Sequence, residues 1–235
     1  MSRSETPELA SFQRIVFFTG AGLSAESGVP TYRGSGGIWQ RYHYEDYACQ
    51  RAFDRDPARV WAFHDERRAQ VAACEPNAAH RLIARIQREK PGTRIDTQNI
   101  DGLHQRAGAG AVLELHGSLW RMRCSREGRL IEDHSVPLAT HHCECGAWLR
   151  PDLVWFEDAL DPDVFQAAAN AIISCDCLVS IGTSGLVYPA AGLPRVAKYA
   201  GAFTIEINPE DTPLSSSFDA CLRGTACEAL LPLYP

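Results

Sequence analysis

The strongest constraint on the fold is a type of apolar run that recurs along the chain and ends in small or polar residues. The first run, residues 15–18, is Ile-Val-Phe-Phe and leads into Thr19-Gly20-Ala21-Gly22. β-Branched and aromatic residues that end at glycine are typical of a buried strand entering a tight turn. Further runs of this kind occur at residues 93–97, 177–181 and 203–207.

Helix start signals stand between these predicted strands. Asp56-Pro57 and Asp161-Pro162 each place a capping side chain before proline, and Asn77 is a third cap. They predict helices that end near residues 73, 173 and 89, respectively. Strands that alternate with helices predict an α/β fold, in which a parallel sheet is covered by helices on both faces.

Two stretches interrupt this alternation. Residues 32–55 are rich in aromatic residues and glycine and are predicted to be loop-like. We interpret them and residues 120–150 as parts of a smaller module inserted into the sheet domain, so that a cleft between the two would be the natural ligand site. The second stretch is polar and contains cysteines and histidines: Cys124, Cys143, Cys145, His134, His141 and His142.

Composition and charge narrow the class of protein. The 235 residues are 45% hydrophobic and 22% charged, which is typical of a soluble globular protein, and the net charge of −6 argues against a broad nonspecific grip on nucleic acid. Nothing approaches the apolar run of about 20 residues that spans a membrane, and residues 1–9 lack the pattern of a signal peptide. Nine cysteines, an odd number, fit thiols or metal ligands in the cytosol.

Three turns at predicted strand ends could together hold a dinucleotide. Gly20-Ala21-Gly22 would let backbone N–H groups approach a pyrophosphate, although the same sequence also suits an ordinary tight turn. Polar residues follow the later strands at 182–184 and 208–210, where open α/β sheets bind ligands. Ordinary loop chemistry is the alternative for both.

Two further segments carry candidate chemistry. Residues 97–104, Thr-Gln-Asn-Ile-Asp-Gly-Leu-His, could bind a carboxamide and a ribose, and a turn that caps a helix is the alternative. His116 follows a strand-like segment and precedes glycine, which makes it a candidate base, although a lone histidine is more often structural.

Six motifs in a fixed order span nearly the whole chain. They are GAGLSAESGVPTYRG (20–34), TQNIDGLH (97–104), LHGS (115–118), LRPDLVWFED (149–158), GTSGLVYPAA (182–191) and INPED (207–211). This set closely resembles the sirtuin family of NAD-dependent protein lysine deacylases, in particular its bacterial class III branch of desuccinylases and deacetylases. The resemblance implies a Rossmann-like domain over residues 10–31, 76–118 and 151–235, and a small inserted zinc-ribbon-type module over residues 32–75 and 119–150.

The resemblance also implies which residues bind NAD as a cosubstrate. Catalytic roles fall to His116, Asn99 and Asp101. The acyl-lysine carbonyl oxygen would attack C1′ of the nicotinamide ribose, nicotinamide would leave, and His116 would act as general base on a ribose hydroxyl. The activated hydroxyl would attack the resulting imidate, and water would complete the reaction to give free lysine, nicotinamide and O-acyl-ADP-ribose. The implied cofactor-binding residues are Gly20, Ala21, Gly22, Glu26, Tyr32, Arg33, Trp39, Gln98, Asn99, Ile100, Asp101, Gly182, Thr183, Ser184, Asn208, Pro209, Glu210 and Ala226.

On the substrate side, His64 and Arg67 share one face of the helix predicted from residue 57. A branch of the family that removes succinyl and malonyl groups has Tyr and Arg at these positions, so Arg67 matches and His64 replaces the Tyr. The resemblance therefore slightly favours acidic acyl groups over acetyl. The alternative is a partly solvated Arg and His that pair with Asp65 or Glu66. The implied substrate-binding residues are His64, Arg67, Val154, Phe156 and Leu186.

A structural zinc site is a further implication, because such a site normally takes four Cys or His ligands. Cys124, Cys143 and Cys145 with one nearby His could form it, since Glu127 stands where a second cysteine of a C-x-x-C pair would be. The alternative is a metal-free hairpin that retains its thiols.

Two more residues depart from the expected pattern. Glu157 stands where the family usually has glycine, in the segment expected to pair with the substrate peptide as an added strand. The acidic side chain could steer the register or favour basic peptides. Asp96 interrupts an otherwise apolar predicted strand, and a buried carboxylate there needs partners.

The expected partners are acylated lysine-containing proteins or peptides. The chain is expected to be a monomeric cytoplasmic enzyme with no direct nucleic-acid partner and no membrane partner. A protein mono-ADP-ribosyltransferase that uses the same cleavage of NAD is the alternative enzyme. A hydride-transferring dehydrogenase is allowed by the glycine turns alone, and an NAD sensor would bind NAD without turnover.

Overall fold

A large parallel sheet dominates the computed structural model, which describes residues 7–34 and 36–235. The strands of the described residues are β1 Ile15–Thr19, β2 Arg94–Thr97, β3 Leu113–Glu114, β4 Gly117–Cys124, β5 Leu130–Glu132, β6 Leu149–Leu153, β7 Cys177–Ile181, β8 Phe203–Ile207 and β9 Ala220–Leu222. Six of them form one sheet in the order β3-β2-β1-β7-β8-β9, and every neighbouring pair is parallel. The predicted parallel sheet is therefore confirmed, with all four predicted strands in it.

The remaining strands form a small antiparallel sheet in the order β5-β4-β6. Strand β4 begins directly after His116 and ends at Cys124. Strand β6 leads into residues 154–158, where Val154 donates its N–H to the His116 carbonyl at 3.0 Å. The small sheet thus connects the candidate base with the cysteine-rich turns.

The helices of the described residues are α1 Ala21–Ser24, α2 Tyr44–Tyr47, α3 Gln50–Arg55, α4 Pro57–Ala72, α5 Ala78–Glu89, α6 Leu103–Arg106, α7 Pro162–Ser174, α8 Leu193–Tyr199 and α9 Ala226–Leu230. Three of them, α4, α5 and α7, are the predicted ones. Their predicted caps are also confirmed, because the side chains of Asp56, Asn77 and Asp161 accept hydrogen bonds from N–H groups of the first turn.

Buried side chains cover both faces of the large sheet. Ile15 and Phe17 of β1 point into a cluster shared with α5 and α9, and Val16 and Phe18 point into another shared with α7 and α8. This alternation along one strand is what a sheet buried on both faces requires.

A third cluster lies between α3, α4 and the small sheet, and we call this unit the small-sheet region (α3, α4 and β4–β6). Trp61 of α4 donates its indole N–H to the Leu149 carbonyl at 2.6 Å. Arg68 is fully buried and donates to the carbonyl groups of Leu119, Asp133 and Ser135. These contacts fix α4 against the small sheet.

The prediction that residues 32–55 are loop-like is wrong for their second half, which forms α2 and α3. Buried side chains explain the helical turns, because Cys49, Ala52 and Phe53 all pack into the third cluster. The residue bounds of the two predicted domains stay a prediction. None of the helices in the described part of the chain combines the length and apolar character needed to cross a membrane.

Candidate active site

A cavity of about 750 Å³ opens where the predicted ligand-binding turns meet. One side is formed by the segments that follow β1, β2, β7 and β8, whose carboxyl ends lie at one edge of the large sheet. The other side is formed by α4 and residues 153–158. The cavity therefore lies between the large sheet and the small-sheet region.

Two glycine turns touch at the centre of the large-sheet side. The Gly22 N–H donates to the Gly182 carbonyl at 2.9 Å, and a Cβ on Gly22 would lie 2.6 Å from the Gly182 Cα atom. Gly182 itself has φ of +63°, a conformation that disfavours side chains. Only glycine at both positions allows the backbones to approach this closely beside the cavity.

The turn after β2 is held from behind by polar contacts. The Asn99 side chain donates to the Gly20 carbonyl at 3.0 Å. Asp101 is buried, accepts from Ser24 Oγ at 2.7 Å and from the Leu103 N–H at 2.8 Å, and has its pKa raised by burial. It lies beside a separate small cavity next to Asn99 and does not line the large one.

His116 lines the large cavity between β3 and β4. Its Nδ1 atom lies 3.1 Å from the Gln98 carbonyl oxygen, which can only accept a hydrogen bond. This contact assigns the proton to Nδ1 and leaves Nε2 as the basic nitrogen. Burial lowers the pKa of His116, so the imidazole is neutral at neutral pH, as a general base must be.

The turns after β7 and β8 are joined at the far end of the cavity. The Asn208 side chain donates to the Thr183 carbonyl at 2.7 Å. Glu26 accepts from the Cys227 N–H at 2.8 Å, which brings the start of α9 and Ala226 to the cavity wall. The end of the cavity beside β7 and β8 therefore combines the polar groups of Thr183 and Asn208 with the apolar side chain of Ala226.

Helix α4 supplies Phe63, His64 and Arg67 to the opposite wall, next to Trp155. His64 and Arg67 are only 4% and 7% exposed. The alternative prediction, that both side chains are partly solvated, is therefore wrong. Its predicted ion pair is nevertheless present, because Arg67 lies 2.8 Å from Glu66. Burial also lowers the pKa of His64 to about 3, so this side chain is neutral.

Several polar atoms in this wall have no hydrogen-bond partner among the described residues. They are both ring nitrogens of His64, Nε of Arg67 and Nε1 of Trp155. The rings of His64 and Trp155 are nearly parallel with centroids 5.9 Å apart, and the Arg67 guanidinium lies 5.6 Å from the Phe63 ring centroid. Unpaired buried polar atoms are costly, so this wall favours a ligand with polar atoms of its own.

The structure brings almost all of the predicted site residues to one cavity, and their roles there stay predictions. Sequence reasoning missed Phe63, Trp155 and Tyr188, which also line it. Phe63 precedes Arg67 by four residues, so the helical spacing contained a usable signal. Trp155 lay inside a quoted motif without an assigned role. The predicted residues in the lining are His116, Gly20, Ala21, Gly22, Glu26, Tyr32, Arg33, Trp39, Gln98, Asn99, Ile100, Gly182, Thr183, Ser184, Asn208, Pro209, Glu210, Ala226, His64, Arg67, Val154, Phe156 and Leu186.

Far from the cavity, the turns of the small sheet form a candidate metal centre. One ligand atom from each of Cys124, Glu127, Cys143 and Cys145 lies within 4.8 Å of the others. Three thiolates and one carboxylate provide the four donors of a tetrahedral structural zinc site, so these residues fit the metal.

The predicted histidine ligand of this centre is wrong. His134 lies 2.8 Å from Glu132, His141 lies 2.9 Å from Asp65, and the ring of His142 packs on Trp148 with centroids 4.2 Å apart. The turn geometry instead brings Glu127, the residue at the expected cysteine position, to the three thiols.

The two other departures from the family pattern also have structural consequences. Glu157 has φ of +75°, and it alone among the described residues other than glycine has a positive φ. It pairs with Arg51 at 3.1 Å on the rim of the cavity. Asp96 is fully buried between β1 and β3, neither carboxylate oxygen has a partner among the described residues, and burial raises its pKa to about 7.

Comparisons with known proteins agree with this geometry. The profile of the Sir2 family matches residues 20–189. The NAD-dependent protein deacylase 2 of Pyrobaculum aerophilum is 46% identical over 224 residues, which cover 94% of this chain and 90% of that protein. The NAD-dependent protein deacylase of Aquifex aeolicus is 43% identical over 223 residues, which cover 94% and 93%.

Solved structures show the same similarity. A mutant of a Sir2 homologue in complex with ADP-ribose has a TM-score of 0.92 at 41% identity, covering 96% of this chain and 92% of that one. A Sir2 protein with a deacetylated p53 peptide and 3′-O-acetyl ADP-ribose has a TM-score of 0.85 at 29% identity, covering 94% and 92%.

Proposed function

The chain belongs to the Sir2 family, and from this premise we propose that it removes acyl groups from protein lysine side chains in a reaction that consumes NAD. The relatives named above are NAD-dependent protein deacylases, and the similar structures hold ADP-ribose or an acetylated ADP-ribose. The released products would be nicotinamide and O-acyl-ADP-ribose.

The large-sheet side of the cavity is the proposed NAD site. Gly20, Gly22 and Gly182 line the cavity at the carboxyl ends of β1 and β7, where open α/β sheets bind dinucleotides. Asn208 and Ala226 would face the adenosine half, and Asn99 the nicotinamide half. Asp101 would act from behind, by holding Ser24 and the start of α6.

The observation that carries the proposal is the hydrogen bond from His116 Nδ1 to the Gln98 carbonyl beside the cavity. It orients Nε2 as the proton acceptor for a ribose hydroxyl, and the lowered pKa keeps that nitrogen unprotonated. Because Gln98 belongs to the turn after β2, the same turn would position both the base and the nicotinamide half of NAD.

The α4 side of the cavity is the proposed acyl site. We propose that it takes acidic acyl groups, such as succinyl or malonyl, at least as well as acetyl. The buried Arg67 guanidinium supplies a positive charge suited to a carboxylate, and the unpaired donors of His64 and Trp155 supply further hydrogen bonds. Glu66 would compete for Arg67, because the two already form an ion pair.

Zinc would have a structural role in this enzyme. Cys124, Glu127, Cys143 and Cys145 would hold it at the far end of β4 and β6, and a bound metal there stabilises the turns that three short strands leave weakly supported. The proposed proton transfer to His116 takes place at the cavity, whose lining includes none of these four residues.

We also propose that the enzyme acts in the cytoplasm as a monomer. One chain supplies residues to both sides of the cavity, and none of the nine cysteines, all of them in the described part of the chain, forms a disulfide, as expected in a reducing compartment. The acidic net charge of −6 supports protein rather than nucleic-acid partners.

A single peptide prepared with acetyl-lysine, succinyl-lysine or unmodified lysine tests the proposed function. Each form is incubated with the protein and NAD, and all products are identified by mass spectrometry. We expect loss of the acyl group with one nicotinamide and one O-acyl-ADP-ribose released per lysine. A peptide or protein that gains ADP-ribose would instead identify a transferase, reduced NAD would identify a dehydrogenase, and NAD binding without products would identify a sensor.

A further inference from the structure

We propose that Glu127 makes the metal centre of the small sheet an exchangeable zinc site, which loads and loses zinc over concentrations at which an all-cysteine site stays loaded. The proposal concerns the affinity of the site and its effect on the small sheet. It does not depend on the proposed deacylase function.

The four donors are already gathered in the folded chain. Cys124 and Cys145 have their sulfur atoms 3.5 Å apart, and the Cys143 sulfur lies 3.8 Å from a carboxylate oxygen of Glu127. The Glu127 N–H also points to the Cys124 sulfur at 3.3 Å. These contacts place the carboxylate as the fourth donor of a closed set, so no histidine is needed to complete it.

Donor chemistry predicts weaker binding than four thiolates would give. Thiolates are soft ligands that suit zinc, whereas carboxylates are harder and suit magnesium, calcium and manganese as well. A carboxylate and a thiolate carry the same charge, so the replacement leaves the net charge of the site unchanged. The loss in affinity would therefore come from the weaker zinc–oxygen bond.

The weakest donor is also the most accessible one. Cys124 and Cys143 are buried, Cys145 is half-buried and Glu127 is exposed. Water or a competing ligand can therefore reach the metal from the Glu127 side without unfolding the turns. This arrangement favours fast exchange as well as lower affinity.

Neighbouring cations would stabilise the metal-free state. The Arg129 guanidinium lies 3.7 Å from the Cys143 sulfur and 3.1 Å from Glu144, and Arg126 donates to the Cys145 carbonyl at 2.9 Å. A positive charge beside the sulfur atoms repels a zinc ion and offsets the mutual repulsion of the anionic donors. The apo site therefore has partial compensation of its own.

Binding or loss of zinc would change the stability of β4. Cys124 is the last residue of this strand, His116 precedes its first, and Cys124, Cys143 and Leu149 belong to one buried cluster with α4. Loss of zinc would loosen the cysteine end of β4 and β6, and the contact of Val154 with His116 would become less well held.

Chelator competition on the purified full-length chain tests the proposal. Zinc-loaded wild type, Glu127→Cys, Glu127→Gln and the control Glu132→Gln are titrated with a chromogenic zinc chelator under reducing conditions. We expect half-release from wild type at a chelator concentration about 10-fold or more below that for Glu127→Cys, and still lower for Glu127→Gln. Glu132→Gln should match wild type, because Glu132 lies outside the four-donor set and pairs with His134 instead of with the cations beside the sulfur atoms.

Three results would overturn the proposal. Equal zinc retention in Glu127→Gln and wild type would mean that Glu127 is not a ligand. Equal retention in Glu127→Cys and wild type would mean that the carboxylate does not weaken the site. A wild-type chain that binds no zinc even at excess metal would mean a metal-free hairpin. Amide hydrogen exchange provides the second readout, in which zinc should slow exchange in β4 and β6 but not in β7 or β8.

Discussion

The two walls of the cavity differ in the residues that support them and in the groups that face the ligand. Behind the large-sheet wall, aliphatic side chains such as Ile15 and Ile83 fill a regular core, and the ligand-facing surface consists mainly of backbone turns. Behind the other wall, the small-sheet region is rich in tryptophan and contains a fully buried Arg68. Its ligand-facing surface consists of side chains from α4 and from residues 153–158.

This difference separates two kinds of recognition. A surface of backbone turns recognises the shape of its ligand, and side-chain substitutions there alter recognition little unless they move the backbone. A surface of side chains can change its ligand specificity through a single substitution. The departures from the family pattern at His64, Glu127 and Glu157 belong to the small-sheet region or border it. Asp96, the other departure, lies inside the large sheet and does not line the cavity. We therefore expect NAD chemistry to depend on the large sheet and substrate choice to depend on the small-sheet region.

The largest expected effect is at His116, where the two walls meet. His116→Ala should lower turnover of both acetyl- and succinyl-lysine peptides by about 10³-fold, because it removes the proposed general base that both reactions would need. Steady-state rates for both peptides provide the measurement, and His134→Ala, which removes an exposed histidine, is the control. Near-wild-type turnover of either peptide would contradict the assignment.

The pH profile of the same reaction gives a second check on His116. Burial lowers the pKa of this imidazole, so it becomes protonated only on the acid side of its ordinary value of about 6.5. Wild-type kcat/KM should therefore be flat at neutral pH and fall on acidification with a midpoint below that value. A midpoint above it would mean that another group limits the rate.

Asp96 is a buried carboxylate of β2 with no hydrogen-bond partner among the described residues, and its removal should have the next largest effect. Burial raises its pKa from 3.8 to about 7, so the folded protein binds a proton there that the unfolded chain has lost. The resulting stability cost is absent below pH 4, grows as pH rises towards 7, and reaches on the order of 4 kcal/mol above it. Asp96→Asn should therefore raise the free energy of unfolding at pH 8 by a few kcal/mol.

Urea denaturation of wild type and Asp96→Asn between pH 4 and pH 8 checks this prediction. The free energies of unfolding of the two proteins should agree near pH 4, and the advantage of Asp96→Asn over wild type should grow as pH rises towards 7. Asp163→Asn, which changes an exposed carboxylate on α7, should follow wild type. Parallel pH dependences for wild type and Asp96→Asn would rule out a protonated Asp96.

Arg67 offers the sharpest test of the separation between the two walls. Arg67→Met should lower kcat/KM for succinyl-lysine by about 30-fold, corresponding to about 2 kcal/mol, because a buried carboxylate would lose its charged partner. Acetyl-lysine turnover and NAD affinity should stay close to wild type. Arg59→Met, an exposed position on the same helix, is the control. An equal loss on both peptides would indicate damage to α4 instead of a carboxylate site.

The smallest expected effect concerns the strained turn at Glu157. Glu157→Gly should raise the free energy of unfolding by about 1 kcal/mol, because glycine adopts a φ of +75° without a steric cost. Thermal unfolding of this variant beside Glu157→Gln separates the backbone effect from the loss of the Arg51 ion pair. If both variants shift the unfolding temperature equally, the backbone strain contributes nothing.

The large sheet could be predicted from the sequence because the patterns that mark its strands and the neighbouring helices are local. Each strand is a short apolar run, and Asp56, Asn77 and Asp161 mark helix starts within a few residues. The site residues on this side follow strand ends, so their convergence follows from the parallel order. Asp101 is the exception, because a position behind the cavity cannot be distinguished from one inside it by strand order alone.

The small-sheet region was harder to predict from the sequence, because its structure depends on contacts between residues that are far apart in the chain. The helical turns before residue 56 have little periodicity and depend on burial of Phe53 against other elements. The fourth metal donor was misassigned because spacing alone cannot show that Glu127 reaches Cys143 while His142 packs on a tryptophan. The position of Trp155 in the cavity wall beside α4 could not be predicted, because it depends on how α4 packs against residues 153–158.

The contact between Gly22 and Gly182 also limits how this protein can change over evolutionary time. The two residues are 160 positions apart in the sequence, yet a methyl group on either one would collide with the backbone of the other. Neither substitution can be rescued by a smaller partner, since glycine is already the smallest residue. Substitutions at His64 or Glu127 would change acyl recognition or zinc affinity, whereas residues 22 and 182 must both remain glycine, so ancestry will be easier to trace in the turns than in the specificity of the enzyme.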